Sequence, residues 1–197
     1  MKKKLVFSVI VLVIVCALCL TACNNYSSQL QDIQALLKVS YSEITLNVTT
    51  TASGIELKGI YTLTFEDDKT IVNYSFDRLN DLSLDGDNAD TYLTKVTGTV
   101  EVVDGEIVNG DTSVTLPDDI DFHGMSFKQA FFKNCTMTGA KFDADVVNTK
   151  GFTGYKNFVC TDMHVTVVYN KKALSKIAIT YVSEEGSDVS ITYLFTK

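Results

Sequence analysis

From residue 44 onward the chain alternates apolar and polar positions with a period of two, the pattern of strands covered on one face. Ile44, Leu46 and Val48 alternate with Thr45, Asn47 and Thr49. After a turn at Ser53-Gly54 the alternation continues through Leu57, Gly59, Tyr61, Leu63 and Phe65. Glu66-Asp67-Asp68 then turns the chain into a third strand with Val72, Tyr74 and Phe76. Asp81 to Asp90 interrupts the pattern as a loop, and Val96, Gly98, Val100 and Val102 resume it. Asp104-Gly105 is a tight hairpin signal leading into Ile107 and Val108. Neighbouring strands joined by turns this short predict an antiparallel meander.

A second irregular region runs from Asn109-Gly110 past the only proline, Pro117, to His123. Ser126 is placed to cap one helical turn, because Phe127, Ala130 and Phe131 are spaced three and four apart. Strands follow around Cys135 and Met137 and through Phe142, Ala144 and Val146, with a turn at Gly139 between them. Gly151 and Gly154 bracket a short connection, and three strands close the chain: Met163 to Tyr169, Ile177 to Tyr181 and Val189 to Phe195. Ahead of all these, Ser28 and Gln31 fit a capping box, with Leu30, Ile33 and Leu37 at helical spacing through Lys38. The fold class predicted is mainly β (α+β). It is a curved, half-closed antiparallel meander of about nine strands, with one N-terminal helix and a few short helical turns.

The N-terminus has a different pattern. Lys2, Lys3 and Lys4 precede an almost unbroken apolar run from Leu5 to Leu20. As a helix that run is roughly 24 Å long, shorter than the hydrocarbon core of a bilayer. A short apolar run followed by small residues reads as a removable signal peptide. The next residues, Leu20-Thr21-Ala22-Cys23, resemble the lipobox of bacterial lipoproteins. That resemblance implies diacylglyceryl transfer to the Cys23 thiol and cleavage before it. Residues 1–22 are then a signal peptide, 23–28 a lipidated tether and 29–197 a single β-rich domain. The protein is expected to be exported and held on the outer face of the bacterial cell membrane through the lipid on Cys23, since two acyl chains anchor stably.

Charge narrows the choice of partners. Without Lys2, Lys3 and Lys4 the remaining 14 basic residues face 24 acidic ones, a net charge near −10. Such a domain repels phosphate backbones, which argues against nucleic acid. It also repels anionic headgroups, so the domain should stand off the membrane on Asn24 to Ser28. The chain has no Trp for stacking against a sugar ring; Tyr could serve, which makes a sugar-binding module a weaker reading. A domain of this size buries about 70% of its unfolded surface and needs no disulfide to hold a core.

Few residues carry recognisable chemistry. Asp85-Gly86-Asp87-Asn88-Ala89-Asp90 misses the calcium-loop pattern, with Ala89 at the fifth position and Val96 at the twelfth. A solvated acidic turn is the reading that remains, with Asp85, Asp87 and Asp90 the only oxygens to offer a cation. The two histidines, His123 and His164, lack metal-ligand spacing with Cys135 and Cys160. His164 also falls out of phase with Met163, Val165 and Val167, on the polar face of its strand. No GxSxG, HExxH or GxxxxGK[ST] occurs, so the sequence points away from an enzyme and names no cofactor. Cys135 and Cys160 leave two readings open in an exported domain: a disulfide, or two small buried hydrophobes.

A lipobox, a short helix and a long meander with one apolar face together resemble the lipoprotein-carrier superfamily of LolA and LppX type. That likeness is one of layout. It implies a half-closed sheet with helices lining its concave side and, in several members, a bound lipid or acyl group. A covering argument points the same way. About nine strands make a sheet near 40 Å wide, and one helix is only about 10 to 12 Å across. Either the sheet curls, leaving a lined hollow, or two sheets stack and leave none. Two functions follow. The first is a lipoprotein that binds a small apolar ligand on the concave face, against inward tyrosines Tyr61, Tyr74, Tyr169, Tyr181 and Tyr193. The second is a structural or interaction module displayed on the envelope, with a filled core and no ligand cavity.

Overall fold

The computed structural model describes residues 26–79, 93–117, 122–155 and 158–197. A helix, α1, spans 26–36. The strands are β1 (Glu43–Ala52), β2 (Ile55–Phe65), β3 (Thr70–Leu79), β4 (Leu93–Val103), β5 (Glu106–Gly110), β6 (Phe132–Thr138), β7 (Lys141–Val146), β8 (Cys160–Tyr169), β9 (Leu174–Ser183) and β10 (Asp188–Thr196). A one-turn helix, α2 (Thr149–Thr153), joins β7 to β8, and 3-10 turns lie at Phe122–Gly124 and Gln129–Phe131.

All ten strands form one antiparallel sheet in the order β5-β4-β3-β2-β1-β10-β9-β8-β7-β6. The sheet is not closed. Consecutive strands pair throughout except β5 and β6, which form the two edges, while β1 and β10 meet at the centre with Glu43 opposite Thr196. Two of the hairpins owe their tightness to paired left-handed residues. Ser53 and Gly54 have φ of 51° and 80°, and Asp104 and Gly105 have 52° and 84°, the geometry a two-residue turn needs to match strand twist.

Register carries the alternation across the sheet. One cross-strand row reads Gly98, Tyr74, Tyr61, Leu46, Tyr193, Ile177, Val167, Phe142 and Met137 from β4 to β6. The adjacent row on the other face reads Thr97, Ser75, Ile60, Asn47, Thr192, Ala178, Thr166, Asp143 and Thr136. The first row belongs to the covered inner face and the second to a largely polar outer face. A slip of one residue would exchange them, so burial pins the register. Two glycines on the inner face make room for rings: a Cβ on Gly59 would meet Tyr61, and one on Gly98 would meet Tyr74.

The covering problem is met by the chain between the two edges. Residues 111–117 and 122–131 are the described parts of this strap, which runs in sequence from β5 to β6. They lay Leu116 near β2 and β3, Phe122 against Tyr193 and Phe195 of β10, and Phe127 against Phe142 of β7. Beside this strap α1 buries Leu30, Ile33 and Leu36, and the turn that follows it buries Leu37. Gln34 joins the two: its Nε2 donates to the Met125 carbonyl (3.3 Å) and its Oε1 accepts from the Phe127 N–H (2.7 Å). Phe127, Phe132, Phe142 and Phe152 then close one end as a cluster of edge-on and stacked rings, with centroids 5.3 to 6.4 Å apart. Each such ring adds about 1.5–3 kcal/mol from burial.

Several local readings need correction. Tyr26 and Ser27 are already helical, so Ser28 lies inside α1 and does not cap it, and 37–38 is a turn. The helical turn expected from a Ser126 cap lies at Gln129–Phe131 instead, preceded by Lys128 with no side-chain cap, and the Ser126 N–H donates to the Phe152 carbonyl. The short connection at Gly151 and Gly154 contains α2, capped by Asn148 Oδ1 on the Gly151 N–H (2.9 Å) and ended by Gly154 at φ 79°. Cys135 and Cys160 are not bridged. They lie on β6 and β8 with β7 between them, two strand spacings or about 9.6 Å, beyond the roughly 7 Å a disulfide allows.

Candidate functional site

The expected ligand-facing tyrosines divide into two groups. Tyr61, Tyr74 and Tyr193 are buried, and Tyr61 and Tyr74 pack against Phe76 with centroids 6.4 and 5.8 Å away. Tyr169 and Tyr181 are half-buried. Tyr181 meets Phe158 edge-on at 5.1 Å and borders a hollow of about 320 Å³ with Thr51, Asp162 and Val189. Tyr169 borders a larger cleft.

That cleft, about 740 Å³, lies between α1 and the β6–β7 and β8–β9 turns. Ala35, Leu36 and Val39 line it on the helix side, and Ala140 and Tyr169 line it on the sheet side. The turns are built to hold this shape. The Tyr169 N–H donates to the Ala140 carbonyl (3.0 Å), tying the two turns together. Asn170 Oδ1 accepts from the N–H groups of Lys172 (2.8 Å) and Ala173 (3.0 Å), an Asx turn. Burial pushes the Tyr169 hydroxyl above its ordinary range, and the negative charge of Asp32 adds to that shift. Asp32 and Lys171 supply the charges on the cleft.

A second cleft, about 730 Å³, opens between the strap and the ends of β2, β3 and β4, among Leu63, Phe65, Val72, Val102, Leu116 and Phe122. A smaller hollow of about 210 Å³ links the pair, sharing Val39 with the first and Phe65, Phe122 and His123 with the second. All three therefore follow one end of the sheet. His123 Nδ1 lies 3.1 Å from the Leu37 carbonyl there, which only a protonated Nδ1 can satisfy.

His164 sits on the outer face between two carboxylates of β7. Its Nε2 pairs with Asp143 and its Nδ1 with Asp145 (3.0 Å). Asp143 is held below the ordinary carboxylate range chiefly by Lys141, helped by Thr166 and His164. Asp145 is lowered by His164 first and by Asn134 second. Asn134, with φ of 52°, sits in the irregular stretch of edge strand β6 and donates to Asp145 Oδ2 (2.7 Å). The cluster thus fastens the edge to β7 and β8. Among the described residues no group of three or more His, Cys, Asp or Glu converges to hold a metal ion.

Cys23 lies outside the described residues, as do Asp85, Asp87 and Asp90. Sequence reasoning missed Asp32, Leu36 and Lys171, because a cleft formed by a helix flank and two turns leaves no periodic signal. Compared with known protein families and with curated proteins, the chain matches none.

Proposed function

We propose that the chain is an envelope lipoprotein, tethered to the outer face of the bacterial membrane through Cys23, that binds a small apolar ligand in the cleft bordered by Tyr169. The observation that carries this reading is the contrast within the inner face. Most of it is packed to exclusion of solvent, with Leu46, Phe142, Val167 and Ile177 at 0% exposure, whereas Tyr169 stays half-buried over about 740 Å³ of open space. An apolar wall with few polar groups is what small-molecule sites share. The lipobox and the carrier-like layout support the same reading. The ligand position shifts from the middle of the inner face, where Tyr61, Tyr74 and Tyr193 fill their own space, to its end. The test is a titration of an environment-sensitive apolar dye against the protein, competed with fatty acids and isoprenoid alcohols. One saturable site that weakens on Ala140→Trp is expected; a linear response alone counts against it.

The filled core favours a second reading, a display module that works through its outer face. That reading predicts no saturable dye site beside full palmitate labelling. Either reading requires that Cys23→Ser abolish palmitate labelling and membrane fractionation.

A further inference from the structure

The cleft at Tyr169 carries polar groups whose chemistry selects a ligand, and the following rests on the reading just proposed. Asp32 on α1 and Tyr169 on β8 both line the cleft, close enough that the Asp32 charge acts on the Tyr169 hydroxyl. Asp32 is exposed to solvent and Tyr169 is half-buried. Asp32 can only accept, while a tyrosine hydroxyl donates or accepts. Apolar surface from Ala35, Leu36, Val39 and Ala140 lies directly beside them.

From this arrangement we propose that the cleft takes an amphiphile with an amine-bearing, cationic head and a short apolar body, in preference to a carboxylate-headed fatty acid. An ammonium group placed between Asp32 and Tyr169 meets an opposite charge, a hydroxyl lone pair and the face of an aromatic ring. A carboxylate in the same place meets Asp32 as a like charge. The longer-range field agrees, because the chain as a whole carries a net charge of −7 and draws cations. Among the described residues Lys171 is the one cation lining the cleft, and it sits exposed on the β8–β9 turn. Its stem can lie along the apolar wall while the ammonium turns to water, so it adds cover more than charge selection.

The absence of Trp makes a clean experiment available. Tyr169→Trp places the only indole of the protein at the cleft. The full-length protein, held in nanodiscs, is titrated with hexylammonium, hexanol and hexanoate at equal ionic strength. Hexylammonium should shift the emission saturably and bind about threefold more tightly than hexanoate, since attraction to one exposed, solvent-screened charge becomes repulsion. Asp32→Asn should remove most of that ratio, and Lys171→Ala should leave the order unchanged. Saturation-transfer NMR of the same ligands on the unsubstituted protein repeats the comparison without the indole. If hexanoate binds as tightly as hexylammonium, or Asp32→Asn changes nothing, the cationic-head proposal falls while the cleft remains a binding site. If none of the three saturates, the binding reading falls with it.

Discussion

Tyr41 fastens α1 to β9 through the Leu174 backbone: its hydroxyl accepts from the Leu174 N–H at 2.9 Å and donates to the Leu36 carbonyl at 2.9 Å. Both bonds are buried, and burial raises the Tyr41 hydroxyl above its ordinary range. Tyr41→Phe leaves a buried donor and a buried acceptor without that hydroxyl. The expected loss is about 2 kcal/mol in urea unfolding, with an unchanged m-value. Since Leu36 lines the cleft, ligand affinity should weaken as well. A variant as stable as the parent contradicts this account of how the helix is held.

Gly98 makes a second prediction. The Tyr74 ring occupies the space a Cβ on Gly98 would need, and Tyr74 is only 6% exposed. Gly98→Ala forces a buried ring to shift, at a cost of about 1–3 kcal/mol. In the background of Tyr74→Leu the same substitution should cost clearly less. Equal costs in the two backgrounds, measured as a double-mutant cycle, would show that the ring and the glycine are not coupled.

Much of this architecture was legible because strand alternation and turn chemistry are local. Tyr74 and Phe76 declare an inward face by their spacing alone, and Asp104-Gly105 needs only its own backbone preferences to announce a hairpin. The pairing of β1 with β10 was not legible, since Ile44 and Phe195 are joined by no short turn. Nor was the strap: Val114, Phe122, Met125 and Phe127 have no common period, and their burial follows from the need to cross from β5 to β6. Of the five tyrosines, sequence pattern could not separate Tyr193, on a central strand under Phe122, from Tyr169 at a sheet end beside a cleft.

The outer-face cluster predicts a pH dependence. Asp143 and Asp145 are both depressed in the folded protein. A depressed carboxylate contributes stability that is present above its unfolded value, near 3.9, and is lost as pH falls through the folded value. Stability should therefore decline below about pH 4. His164→Gln removes contacts to both carboxylates, so the variant should be less stable at pH 5–6 and lose less on acidification. The stability gap between the two proteins should narrow as the carboxylates protonate. A gap that stays constant from neutral pH to pH 2 rules the cluster out as its source.

With β7 between them, Cys135 and Cys160 should remain thiols even under oxidising conditions. Unfolding in denaturant without reductant should then expose both to alkylation, read as two mass additions. A protein that takes up the label only after reduction would show a bridge, and with it a different placement of β6 against β8.

The central claim is that the end of the sheet holds a small ligand, and native mass spectrometry of the protein extracted from its own membrane tests it most directly. The account predicts one non-covalent adduct per chain, released at modest collision energy and missing from Ala140→Trp, which fills the cleft. Bare protein alone, from parent and variant alike and at every collision energy, would contradict it.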